Sequence, residues 1–207
     1  MKTNPPLSTG YSPVPRGKIA SVVTCLDMTE RPKRRSPRPM TRPLALERFS
    51  EVSIYRRLYQ AIGQDWLWFS RLVMPEDELA TILAHPDVET FALMEGKRRI
   101  GLLELDFRQE SQCELAFFGL APQAIGQGAG RYLMDQAIAR AFARPIRRLW
   151  VHTCTLDHPA ALGFYLRSGF CAYERMVELA DDPRITGHLP REAAPQIPLI
   201  EIDPSEI

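Results

Sequence analysis

The sequence predicts an α/β (α+β) fold, with one mixed, mostly antiparallel sheet flanked by helices. Two observations carry this expectation. Strand-like runs ETFALME (89–95), IGLLELDFR (100–108) and CELAFFGLAP (113–122) follow one another across short polar turns suited to antiparallel hairpins. After them the pattern changes to helix, strand, helix, strand, a βα crossover that brings strands together in parallel.

Each element has its own signal. LALERFS (44–50) alternates and reads as a strand, and VSIYRRLYQAI (52–62) sets Ile54, Leu58 and Ile62 on one helical face. A second helical stretch runs through Trp66, Trp68, Leu72 and Met74. A third, PEDELATILAH, begins at Pro75 with acids in its first turn. After Gly126, residues Leu133, Met134, Ala137, Ile138, Ala141 and Phe142 recur at helical spacing as a broad apolar stripe. RRLWVHTCTL (147–156) is the next strand, Pro159 to Arg167 a short helix stopped by Gly169, and CAYERMVEL (171–179) the last strand.

Residues 1–43 differ in composition. They hold 8 of the 18 prolines and a surplus of Lys and Arg over Asp27 and Glu30, so a disordered basic arm is expected there. The run Arg31–Pro39 reads as a solvated linker in preference to a nucleic-acid tail. The folded domain is expected over 44–180, followed by a loosely structured tail, 181–207, whose PLIEI (198–202) docks on it. With 45% hydrophobic residues, 25% charged residues and a net charge of +1, the chain gives no reason to expect nucleic acid or membrane as its main partner. No apolar run nears the roughly 20 residues that cross a bilayer. The N-terminal residues lack the apolar core of a signal peptide, so a cytoplasmic location is expected. Cys25, Cys113, Cys154 and Cys171 are far apart and lack metal-ligand spacing; they read as reduced, buried thiols, and no metal is expected.

The most informative stretch runs from Pro122 to Arg131. Gly126, Gly128 and Gly130 sit at alternate positions between a strand and a strong helix. Glycine admits a ligand close to the backbone, and a helix start offers unpaired N–H groups at the positive end of a dipole. Together they make a seat for a pyrophosphate. A P-loop would need GK[ST], which is missing, and Arg131 stands where a Rossmann fingerprint needs its third glycine. From this loop alone, a glycine turn without ligand stays open.

The segment ELAFFGLAPQAIGQGAGRYLM (114–134) resembles the acetyl-CoA-binding motif of the GNAT superfamily: strand, Pro, then [Q/R]xxGx[G/A] opening a helix. HPAALGFYLRSGF (158–170) resembles the second signature of that family, NxxAxxxYxxxGF, and the resemblance spans roughly residues 44–180. Ile125 departs from the pattern where the family has Gln or Arg, and His158 where it has an Asn that contacts the cofactor.

The resemblance implies a GNAT-like acyl-CoA N-acyltransferase fold. It also implies direct transfer from acetyl-CoA to a primary amine in a ternary complex. The backbone of Phe118, Gly119 and Leu120 is then expected to pair with the pantetheine arm, Leu120 N–H being the oxyanion donor. Ile125, Gly126, Gln127, Gly128, Ala129, Gly130 and Arg131 are expected to seat the pyrophosphate. His158 is expected either to contact the cofactor or to cap the helix. An alkylamine is almost wholly protonated at neutral pH, so transfer needs a base or a water chain. Glu114 falls where some members carry it, with Glu104 and His152 as rivals. Tyr165 stands at the usual acid position, against a packing role. The acceptor stays open between a small-molecule amine and a peptide, with Trp66, Trp68 and Phe69 as candidates for lining its pocket. The departures at Ile125 and His158 leave a catalytically silent CoA-binding module as the alternative.

Overall fold

The computed structural model describes residues 4–32 and 43–201. Its strands are β1 (Lys18–Met28), β2 (Leu44–Arg48), β3 (Val88–Glu95), β4 (Arg98–Asp106), β5 (Gln112–Leu120), β6 (Arg148–Cys154) and β7 (Cys171–Asp181). Its helices are α1 (Val52–Gly63), α2 (Ser70–Val73), α3 (Glu76–Leu83), α4 (Ala129–Ala141) and α5 (Ala161–Ser168). The strands form a single sheet in the order β2-β3-β4-β5-β6-β1-β7. Every neighbouring pair is antiparallel except β5–β6, so the sheet is the mixed, mostly antiparallel one expected.

Both faces of the sheet centre are covered, which is why β3 and β4 read as nearly continuous apolar runs. On one face Tyr55, Leu58, Tyr59 and Ile62 of α1 pack with Ala92 and Leu102. On the other, Leu133, Met134, Ala137 and Ile138 of α4 pack with Leu93, Leu103, Leu105 and Leu115. The alternation of Ala92 with Leu93, and of Leu102 with Leu103, is the period of two that a pleated strand imposes.

The N-terminal arm requires correction. Residues 18–28, inside the stretch expected to be disordered, form β1, an interior strand paired with β6 on one side and β7 on the other. Ile19, Val23, Cys25, Leu26 and Met28 are all buried, and Leu26 is 0% exposed. This local run buries enough side-chain surface to offset the entropy of ordering, whereas residues 4–16 before it are exposed. Most of the basic run, from Lys33 to Pro39, lies outside the described residues.

Two smaller expectations also shift. The helical stretch through residues 66–74 is broken into a 3₁₀ turn at Gln64–Trp66 and the short α2, with Leu67 between them at φ 53. Leu67 and Trp68 are adjacent yet pack into different clusters. Among the cysteines, Cys25 and Cys113 are buried as expected, whereas Cys154 is half-buried and Cys171 exposed on the edge strand.

The segment after β7 has no regular structure, but it is anchored. Asp182 and Arg184 form a bidentate ion pair with both side chains 2% exposed. Gly17 N–H donates to Ile200 O at 2.9 Å. No helix among the described residues is long and apolar enough to cross a membrane.

Because β1 completes the sheet, removing residues 1–30 is expected to abolish cooperative unfolding, while removing residues 1–12 leaves the melt unchanged. Thermal denaturation followed by circular dichroism of the two truncations checks this.

Candidate active site

The site originates in a strand pair that parts. β5 and β6 are in register only at Gln112–Arg148, Cys113–Leu149 and Glu114–Trp150, yet β5 continues to Leu120. Along the same stretch Phe117 faces Glu104 and Leu115 faces Leu105, so Ala116 is an extra residue that makes a β-bulge and bends the strand. Ala121 N–H donates to Ile100 O on β4 at 2.9 Å. By the alternation of an antiparallel ladder, the N–H groups of Leu120 and Phe118 point the other way, toward the edge that β6 has left.

The gap opens into a cleft of ≈ 810 Å³. Tyr165, Glu114, Phe118, Gly119, Leu120, Ile125, Gly126, Gly128, Gly130, Arg131 and His158 all line it. Gln127 and Ala129 do not. They line a separate cavity of ≈ 220 Å³ beside Leu44, Glu95 and Arg98, and Gln127 Nε2 donates to Gln123 O at 2.8 Å.

One end of the cleft suits an anion. Gly126 and Gly128 have φ 81 and 84, and Gly128 is the N-cap of α4. A Cβ placed on Gly126 meets nothing within 4 Å, so packing does not explain the small residue there. The first intrahelical bond of α4 is Tyr132 N–H to Gly128 O, so the amides of Ala129 and Gly130 precede it at the positive end of the dipole. Arg131 and Arg167 add positive charge to the lining. These residues fit the diphosphate of a coenzyme A. Gly119 is small for another reason: a Cβ there comes within 2.4 Å of Ile62, so it lets α1 lie against β5.

The other end is aromatic and acidic. Trp66, Leu67, Trp68, Phe69 and Phe117 form a wall there. Trp68 is fixed by Asp157, whose Oδ1 accepts from Nε1 at 3.0 Å while Oδ2 accepts from Thr153 Oγ1 and from Cys154 N–H. Asp157 is a residue that sequence reasoning passed over, although an Asp two residues before a Pro at a strand end is a turn signal. His158 Nδ1 accepts the Ala160 N–H at 3.0 Å and caps the turn into α5, while its ring meets the edge of Trp66.

Three carboxylates share the sheet face that α1 covers. Glu104, a rival for the base, is 0% exposed and committed, accepting from Arg71 Nη2 and from Tyr55 Oη. Asp106 is held by a fork of hydrogen bonds from Arg108; burial pushes its pKa up, but those bonds outweigh burial and hold it below the usual range. Glu114 has no such partner. Burial, reinforced by the charges of Asp106 and Glu104 and opposed by Arg71 and Arg108, pushes its pKa up to about 7. Its Oε1 lies 3.7 Å from His152 Nδ1, and burial lowers the His152 pKa against the pull of Asp157 and Glu178.

Tyr165 is buried among Phe118, Phe164 and Phe170 with centroid distances of 6.2, 5.9 and 5.9 Å. Burial first, and the charge of Asp157 second, push its pKa well above the ordinary tyrosine range.

Residues 55–170 match the model of the Acetyltransferase (GNAT) family. The chain belongs to this family. A mycothiol acetyltransferase of Jonesia denitrificans is 32% identical over 97 residues, 46% of this chain and 31% of that relative, so the match spans under a third of its length. Solved structures share the GNAT fold at low identity. An aminoglycoside acetyltransferase from an uncultured soil metagenomic sample, in complex with sisomicin, matches 65% of this chain and 93% of its own at TM-score 0.52 and 18% identity. A GNAT-family protein of Novosphingobium aromaticivorans matches 81% of this chain and 69% of its own at TM-score 0.56 and 16% identity.

The Arg71–Glu104 pair yields a stability prediction. Arg71→Met leaves Glu104 buried without its cation and is expected to cost about 3–5 kcal/mol, whereas Arg71→Met with Glu104→Leu costs much less. Urea unfolding of both variants measures the difference.

Proposed function

We propose that this GNAT protein transfers the acetyl group of acetyl-CoA to the primary amine of a small cationic acceptor. The observation that carries the reading is Glu114, raised to a pKa of about 7, standing where β5 leaves β6 and lining the same cleft as Phe118 and Leu120. Acetyl-CoA supplies an activated acyl carbon and a thiolate leaving group. Phe118, Gly119 and Leu120 present extended backbone along which an amide-bearing arm can pair. The Leu120 N–H donates to negative charge developing on the acyl oxygen. Gly126, Gly128, Gly130 and Arg131 hold the diphosphate, and Ile125 contributes through its backbone alone.

Glu114 takes a proton from the ammonium of the acceptor, directly or through one water, so that the nitrogen attacks as a neutral amine. Tyr165 retains its hydroxyl proton across the working pH range and therefore acts as a donor to the departing sulfur. His158 spends Nδ1 on the α5 cap, leaving Nε2 for the cofactor. The acceptor end favours an amine because Arg71 and Arg108 are already matched by Glu104 and Asp106, whereas Glu114 has beside it the His152 imidazole, whose pKa burial lowers. A cleft of ≈ 810 Å³ that must also admit the acyl arm favours a small molecule over a peptide. The acetyltransferases named above for mycothiol and for aminoglycosides act in the same sense. A cytoplasmic site of action belongs to this proposal and rests on composition.

Acetyl-CoA is expected to raise the melting temperature, the stabilisation being about 2.7 kcal/mol at a hundredfold excess over Kd, with NAD and ATP giving little. Gly130→Val should remove that shift in a folded protein, because the position is helical and an added Cβ there meets Leu120 and Phe164 only at ordinary contact distance. A shift equal to that of acetyl-CoA with either nucleotide overturns the reading.

Turnover is measured as CoA release with phenethylamine, spermidine, sisomicin and a lysine peptide as acceptors. The rate should rise with pH through about 7 as Glu114 loses its proton, and Glu114→Gln should abolish this limb and slow transfer by about 10²–10⁴-fold. Tyr165→Phe should lower kcat while acetyl-CoA affinity holds. Acetyl-CoA binding without turnover of any amine would favour the silent module to which the Ile125 and His158 departures point.

A further inference from the structure

We propose that residues 182–201 are a positioning element for the acceptor end of the cleft, strapping the Trp66–Phe69 wall into one geometry. The inference rests on that end of the cleft being the acceptor site.

The wall is not self-supporting. Its centre, Leu67, has φ 53, a conformation that β-carbon sterics make costly for any residue but glycine, by about 1 kcal/mol or more. Leu67 nevertheless points inward and is 2% exposed. It is covered from the tail: Leu189, Ala193 and Ala194 pack with it and with Ile19 of β1 in one cluster. Phe69 and Leu156, which line the cleft, pack on that same cluster. A polar tie adds to the apolar cover, since Gln196 Nε2 donates to Asp65 O at 2.8 Å, just before the wall begins.

The tail keeps its shape without strand or helix because one buried side chain collects its carbonyls. Arg184 donates to Asp182 through Nε and Nη2, and through Nη1 to Ile197 O at 2.8 Å and Ala193 O at 3.2 Å. A guanidinium has five donors in a rigid fork, which suits a coil whose backbone has no ladder to satisfy it. The coil therefore presents Leu189 and Gln196 to the wall as a fixed pair. A wall held before binding costs less to order when an acceptor arrives, and the benefit goes to acceptor affinity. The glycine turn at 126–130 belongs to neither the tail nor its cluster, so cofactor affinity should be indifferent to it.

The test uses the full chain carrying Gln196→Ala or Leu189→Ala, with Glu192→Ala as control, since Glu192 is exposed on the same segment. Acceptor KM is measured with whichever of phenethylamine, spermidine and sisomicin turns over fastest, together with kcat and the acetyl-CoA Kd. Amide hydrogen exchange of residues 64–69 is followed in parallel. The expected result is faster exchange at 64–69 and acceptor KM raised about five- to tenfold, with kcat and acetyl-CoA Kd within about twofold and the control unchanged. Should Leu189→Ala fail to fold, Gln196→Ala carries the same comparison. Acceptor KM and acetyl-CoA Kd rising together overturn the proposal, as does an unchanged KM or unchanged exchange at 64–69. If the wild type binds acetyl-CoA but acetylates no amine, the transfer reading fails. The exchange arm then decides the strap by itself: faster exchange supports it and unchanged exchange sinks it.

Discussion

Backbone amides and carbonyls demand partners, and beyond Glu114 β5 meets that demand on one edge only. Its pairing with β6 stops at Glu114 while its pairing with β4 continues to Leu120. The rest of the site depends on this asymmetry. A strand edge left open inside a folded domain accepts an extended, amide-bearing ligand as it would another strand. The bulge at Ala116 turns β5 away from its neighbour, and α4 begins just past the end of the strand, so its N-terminus faces the same gap. The last paired residue is also the first at the mouth of the cleft, which is why Glu114 is both half-buried and reachable.

Electrostatics sharpen that position. Glu104, Asp106 and Glu114 lie on one face of adjacent strands, and two arginines are within reach. Arg71 claims Glu104 beneath the helices, and Arg108 claims Asp106 with a fork of hydrogen bonds. Both pairs are close to neutral as units, and Glu114 is left with burial and two negative neighbours. The displaced pKa of the third carboxylate is thus a product of how completely the other two are matched.

From Leu44 onward the elements, apart from the stretch broken at Leu67, were legible because their periodicity is local and strong. The glycine turn, Glu114 and Tyr165 were legible because their spacing resembles a family pattern. β1 was not, although KIASVVTCLDM contains its own β-branched, alternating run. The surrounding prolines and arginines dominated the composition of residues 1–43, and a strand that pairs only with β6 and β7 leaves no trace in its near neighbours. The bulge at Ala116 was invisible for a related reason, since register belongs to two strands and not to one. Gln127 and Ala129 were grouped with the cleft by adjacency, yet turn geometry sends alternate side chains to opposite sides. The tail was underread because Arg184 looks like any surface arginine until its carbonyl partners are in place.

The place of β1 in the sheet governs how the chain reaches this structure. Lys18 and Asp181 pair across 163 residues, so the first strand of this sheet waits for its last to emerge. Until β6 and β7 arrive, β1 is an apolar strand with two bare edges, while β2 to β5 can already assemble through hairpins. Closing so large a loop before any contact rewards it makes this step slow. A half-built domain of this kind offers its open β1 to neighbouring chains, and its yield in a crowded cell is set by how soon the C-terminal strands close over it.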